Sequence, residues 1–100
     1  MSDNATVYHA LKDVVDPEVG LNIVDLGLVY RVEIGQSAIA VLMTMTSPAC
    51  PFGQSLAEQA EAAVRRAFPE AQNVSVTLTH DPPWNPAMMS EEGKRILGIP

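Results

Sequence analysis

"AIAVLMTMTSPACPFGQSLAEQAEAAVRRAFP", residues 38–69, changes its period part-way along. From Ala38 to Thr46, Ile39, Val41, Met43 and Met45 alternate with Ala40, Leu42, Thr44 and Thr46. A period of two is a strand, with the first set on one face and the second on the other. From Pro51 to Phe68 the recurrence becomes three and four. Phe52, Leu56, Ala60, Ala63, Val64 and Ala67 form one stripe, and Glu58, Glu61, Arg65 and Arg66 lie off it, which is an amphipathic helix. Pro69 stops it. A strand that feeds a helix through a proline-flanked turn calls for mixed α and β structure.

The flanks extend this pattern. Val7, Leu11 and Val14 recur at helical spacing between Ala5 and Val15, with Asn4 as the N-cap and Pro17 as the stop. "DPEVGLN", residues 16–22, reads as a loop. In "LGLVYRVEIG", residues 26–35, Leu28, Tyr30, Val32 and Ile34 alternate with Arg31 and Glu33, as in a half-buried strand. Gly35, Gln36 and Ser37 make a hairpin turn. "NVSVTLT", residues 73–79, is a third strand with Val74, Val76 and Leu78 inward. A short final helix begins at Ser90 as N-cap, carries Glu91 and Glu92 first and Lys94 and Arg95 last, and closes at Gly98. The expected fold is α+β: one domain over residues 1–100, a two-layer α-β-β-α-β sandwich plus a short C-terminal helix. Its small mixed sheet is covered by helices on one face, with the strand order left open.

Composition narrows the function classes. Twelve acidic residues against six basic ones leave a charge of −6, and the basic residues form no stripe. That argues against nucleic acid and against an anionic membrane surface as partners. A single cysteine excludes an intrachain disulfide and a zinc site built on several thiolates, and fits a reducing cytoplasm. The first residues lack a basic segment followed by an apolar run, and no apolar stretch is long enough to span a bilayer.

That cysteine, Cys50, lies between Pro48 and Pro51. Pro51 suits the first helical position, which makes Cys50 the expected N-cap, with the amides of Phe52, Gly53 and Gln54 aimed at its sulfur. A helix N-terminus favours thiolate. Gly53 leaves space beside the sulfur, and Thr46 and Ser47 could offer hydroxyls. The plainer alternative is a small packing residue. Asp16, Glu18 and Asp25 fall within ten residues, and Asp25 interrupts the apolar run "NIVDLGLVY". Such an acid must be hydrogen-bonded, exposed or metal-bound. Acids near a thiolate would oppose the helix end, and a cation would satisfy both, so iron or another metal is a candidate ligand for Cys50, with Asp25 or Glu18 as weaker candidates. His9 and His80 are minor candidates only. Pro82 and Pro83 stiffen the approach to Trp84, which either covers the core edge or forms a partner-facing rim.

Three segments, "DPEVGLNIVDLGLVYRV", "MTMTSPACP" and "DPPWNPAMMSEEGKRILG", together resemble the SufT/PaaD-type family of iron–sulfur assembly domains, within the broader group that includes the MIP-type factors. The likeness covers residues 7–99. It implies a role in maturing or repairing iron–sulfur proteins, with assembly proteins and client apoproteins as partners. Matched position by position, it implies that the family's cysteine is Cys50, its threonine Thr46, its loop acids Asp16, Glu18 and Asp25, and its proline–tryptophan motif Pro82, Pro83 and Trp84. PaaD-type relatives are longer, with further C-terminal cysteines that are not in these 100 residues, which favours a stand-alone SufT-like factor.

Counting adds a constraint. One thiolate cannot hold a cluster that wants four ligands. A cluster or iron ion would therefore be transient, either bridged by a homodimer or completed by a client, a small thiol or the carboxylates, and no monomer would bind it stably. Two other classes stay open: a cysteine-nucleophile enzyme, for which no general base is evident, and an adaptor whose working surface is the Trp84 face.

Overall fold

The computed structural model describes residues 4–46 and 52–99. Three strands form the main sheet in the order β3 (Val29–Ile34), β4 (Ala38–Met43) and β5 (Asn73–Leu78). β3 and β4 are an antiparallel hairpin, and β5 runs parallel to β4. Helix α2 (Gly53–Ala67) is the crossover that parallel pairing requires. Helix α1 (Asn4–Leu11) joins it on the same face. Between them lie Val7, Leu11, Val32, Ile39, Val41, Met43, Leu56, Ala60, Val64 and Val74, all buried. Arg31, Glu33, Ala40, Ser75 and Thr77, on the other face, are exposed. The expected two-layer α+β arrangement with one covered face is observed, and the strand order is now known.

Several boundaries differ for physical reasons. Helix α1 ends at Leu11, four residues early, because Asp13 and Val14 bond back only three residues and tighten the last turn. Asn4 is its first residue, not its N-cap, and Asn4 Nδ2 donates to the Val32 carbonyl at 3.3 Å. The expected loop 16–22 contains a small hairpin, β1 (Val15–Asp16) with β2 (Leu21–Asn22), turned by Gly20 at φ 79°. Strand β4 stops at Met43, before Thr46. Thr44 follows it and is wholly buried, not on the wet face.

The largest correction is at Tyr30. Val29 pairs with Met43 and Arg31 with Leu42, so β3 carries one extra residue, a bulge. Tyr30 leaves the core face expected for it. Its hydroxyl donates to the Pro82 carbonyl at 2.8 Å, and Met88 Sδ lies 3.4 Å from the same oxygen. Leu28 and Val32 stay buried on either side.

The short α3 (Glu91–Leu97) follows a 3-10 turn at Pro86–Met88. Ser90 caps it through a bond from the Gly93 amide, and Gly98 closes it at φ 72°, as expected. Among the described residues no helix is long and apolar enough to cross a membrane.

Candidate functional site

Two of the three sequence segments singled out above prove to be each other's partners. Asn22 Nδ2 donates to Asp25 Oδ2 at 2.7 Å, and the Asp25 amide donates to Asn22 Oδ1 at 2.9 Å. From 65 residues away Ser90 Oγ donates to Asp25 Oδ1 at 2.8 Å, while the Ser90 amide donates to the Asp25 carbonyl at 2.9 Å. Ser90 Oγ also accepts from the Gly93 amide, so one hydroxyl caps α3 and clasps the loop. Gly93 permits this closeness, since a Cβ there would lie 2.7 Å from the Asp25 carbonyl oxygen.

Asp25 is thus the centre of a clasp, and each carboxylate oxygen already accepts a hydrogen bond. A metal at Asp25 would have to displace Asn22 or Ser90. The bonds from Asn22 and then Ser90 hold its carboxyl below the usual carboxylate range, against a smaller opposing effect of burial, with Lys12 adding to the lowering. A depressed folded-state value sets the sign of the pH dependence. The stabilisation is present above the unfolded value of about 3.9 and is lost as pH falls through the folded one. Ser90→Ala is expected to cost about 1–3 kcal/mol at neutral pH, from a lost cap and a lost charged hydrogen bond. In urea titrations, the stability gap between the native chain and Asp25→Asn should narrow below about pH 4.

Trp84 completes the contact between the segments. Its Nε1 donates to the Leu26 carbonyl at 2.7 Å, and the ring packs against the core cluster. Of the two expectations for Trp84, the core-edge cover matches this geometry, and the indole N–H is spent inside the molecule. Pro82 and Pro83 are exposed.

The two remaining acids sit on the β1–β2 hairpin. Asp16 is fully buried, with Oδ1 accepting the Glu18 amide at 2.8 Å and its carbonyl accepting the Gly20 amide at 2.8 Å. Asp16 Oδ2 has no partner among the described residues. Thr44 Oγ1 is likewise buried without a partner, and sequence reasoning missed it, because the strand period placed it on the wet face. Only the end of β4 at Met43 turns it inward. Glu18 is exposed at the hairpin tip.

The third segment differs. Cys50 lies outside the described residues, as do Ser47, Pro48, Ala49 and Pro51. Thr46, half-buried, precedes these residues, and Phe52, 37% exposed, follows them. Helix α2 begins at Gly53 with Phe52 in the cap position, so the expectation that Cys50 is the N-cap is corrected: Cys50 lies two residues earlier. Phe52, at φ −97° and ψ 3°, lies outside the extended region usual for an N-cap, and its aromatic ring has no acceptor to offer the helix. The first turn also contains no acid, while Arg65 and Arg66 occupy the last. The N–H groups at the start of α2 therefore have neither a side-chain cap from Phe52 nor a local carboxylate.

Gly53 is buried. A Cβ there would meet Met45 Cγ at 3.2 Å and Leu78 Cδ1 at 3.6 Å. Its lack of a side chain seats the helix end on the strand ends, beside Met45, the residue before Thr46. Among the described residues no three His, Cys, Asp or Glu side chains gather as metal ligands, so Asp16, Glu18 and Asp25 form no such group by themselves.

Comparison with known proteins agrees with this architecture. A family model described as iron-sulfur cluster assembly protein matches residues 4–78. The Fe-S protein maturation auxiliary factor SufT of Staphylococcus aureus is 39% identical over 87 residues, covering 86% of this chain and 98% of its own. The Fe-S protein maturation auxiliary factor YitW of Bacillus subtilis is 38% identical over 94 residues, covering 93% of this chain and 91% of its own. The crystal structure of a domain of unknown function from Bacillus anthracis aligns with a TM-score of 0.90 at 35% identity, over 96% of this chain and 92% of that one. With its β3-β4-β5 sheet, its α2 crossover and these relatives, the chain belongs to the iron–sulfur cluster assembly protein family.

Proposed function

We propose that this protein is an auxiliary factor in the maturation of iron–sulfur proteins, and that Cys50 handles a cluster or iron as cargo passing to client apoproteins. The observation that carries the reading is the start of α2. It follows Cys50 within three residues and has no side-chain cap from Phe52 and no acid in its first turn. Aligned peptide dipoles leave partial positive charge there, which favours a thiolate or a thiolate-bound anionic cluster nearby. Family membership supplies the chemistry that such a thiol would serve.

One thiolate supplies one of the roughly four ligands a cluster takes, so the cargo is shared with a second thiol donor from a client, a carrier or a small thiol. The hydrogen bonds on Asp25 argue against it as the next ligand, because it already serves the clasp. Asp16, buried with no partner for Oδ2 among the described residues, and Glu18, exposed at the hairpin tip, stay candidates for support. The adaptor reading centred on Trp84 is weaker, since the indole N–H is bonded to Leu26.

The test is anaerobic incubation with ferrous iron, sulfide and a small thiol, followed by absorption spectroscopy and metal analysis. The native chain and Ser90→Ala should acquire thiolate-to-iron absorption, and Cys50→Ser should not. Equal uptake by Cys50→Ser would refute a thiol-centred role.

A further inference from the structure

We infer that Met88 is a site of reversible oxidation by hydrogen peroxide, and that its oxidation draws the Tyr30 hydroxyl off the Pro82 carbonyl. The described methionines differ in their reach to solvent. Met43, Met45 and Met89 lie buried in the core cluster. Met88 is half-buried and lines an open cavity of about 660 Å³, walled further by Val24, Val29, Tyr30, Leu42 and Pro82. A water molecule takes up about 30 Å³ of liquid, and peroxide is one oxygen larger, so the oxidant fits there with room to spare.

The bulge in β3 supplies the second half of the arrangement. Its extra residue turns Tyr30 out of the core, with Oη 2.8 Å from the Pro82 carbonyl oxygen and 3.4 Å from Met88 Sδ. A tyrosine hydroxyl has one proton to give. A thioether sulfur is a weak acceptor, so the proton goes to Pro82 and the sulfur lone pairs stay free for reaction.

The step is an oxygen-atom transfer. A sulfur lone pair attacks one peroxide oxygen, and the S–O bond forms as the O–O bond breaks. The proton on the transferred oxygen passes to the departing hydroxide, which leaves as water. Sulfur is oxidised by two electrons and peroxide is reduced by the same two. The product is a polar sulfoxide. Its oxygen is a strong acceptor on the atom beside Tyr30, and it competes with Pro82 for a single proton.

What Pro82 then loses is a tie to β3 across 52 residues. The Trp84–Leu26 bond still holds the segment two residues on, and the Gly27 contact is to the Met88 carbonyl, not to the thioether. The change therefore falls on the residues just before Trp84. Trp84 is the one tryptophan of the chain and reports it.

Dilute hydrogen peroxide, followed by peptide mass mapping and Trp84 fluorescence, tests this on the native chain and on Cys50→Ser, which has no thiol. In both, Met88 should gain one oxygen about tenfold or more faster than Met43, Met45 and Met89, which react only through local opening. Trp84 emission should shift in step with Met88 oxidation, and return when methionine sulfoxide reductases and a thiol reductant are added. Met88→Leu, a volume-conserving change, should show no shift. Tyr30→Phe should be oxidised at Met88 yet shift little, since it has no hydroxyl to divert. Oxidation of Met88 no faster than that of the buried methionines overturns the inference, as does an undiminished shift in Met88→Leu. So does a full shift in Tyr30→Phe, or a shift confined to the chain that keeps its thiol. None of these readings involves iron, so the cargo proposal stands or falls separately.

Discussion

Gly27→Ala is expected to lose about 2–5 kcal/mol of folding stability, a large share of what a small domain has. Gly27 has φ 80°, where an L side chain costs about 1–2 kcal/mol. A Cβ there would also lie 2.3 Å from the Met88 carbonyl oxygen and 2.7 Å from its carbon. Those are backbone atoms of the 3-10 turn, so relief means moving the turn, at about 1–3 kcal/mol. Gly20→Ala is the control. Its φ is 79°, yet nothing stands within 4 Å of the added atom, so it incurs the conformational cost alone. Thermal denaturation should show a drop of more than about 10 °C for Gly27→Ala and a smaller one for Gly20→Ala. Equal drops would mean that the approach to Met88 contributes nothing. The same contact fixes how the loop after β2 meets the segment after β5, so the variant should also weaken the Asp25–Ser90 and Trp84–Leu26 bonds built on that approach.

Cys50→Ser is expected to behave in the opposite way: native stability with loss of client maturation to the level seen without the protein. The measurement is recovery of a cluster-dependent enzyme's activity from its apoprotein, with the chain supplied as native or variant. Serine keeps the size and a hydrogen-bonding group but is not ionised at neutral pH and binds iron poorly. Serine differs from cysteine by a single atom, so denaturation midpoints should stay close. If Cys50→Ser instead unfolds and the stable fraction still matures clients, Cys50 is a packing residue and the proposed role fails. Alkylation rates against pH add a second reading. A thiol favoured as thiolate by the start of α2 reacts below the ordinary range near 8.5.

The structure separates two kinds of motif residue that the sequence presents alike. Asp25 and Trp84 stood beside Cys50 as candidates for the same site, because each is chemically conspicuous. Asp25 is held by Asn22 and Ser90, and Trp84 by Leu26, so both are accounted for by the architecture. Thr44, inconspicuous in an alternating strand, is buried with no partner for its hydroxyl among the described residues. No local signal could have marked it, because the pattern that placed it outside holds only while the strand continues.

What the sequence determined by itself is what repeats locally. The switch from period two to period three and four at residues 38–69 specified strand and helix. Ser90 and Gly98 marked both ends of α3, and the valines of β5 their buried face, since each depends on neighbours within one turn or one pleat. The tertiary structure alone decided the β3-β4-β5 order, the clasp across 65 residues and the removal of Tyr30 from the core. A hydrogen-bond partner far along the chain leaves no period behind. A bulge adds one residue to an alternation that reads as unbroken until the opposite strand is laid beside it.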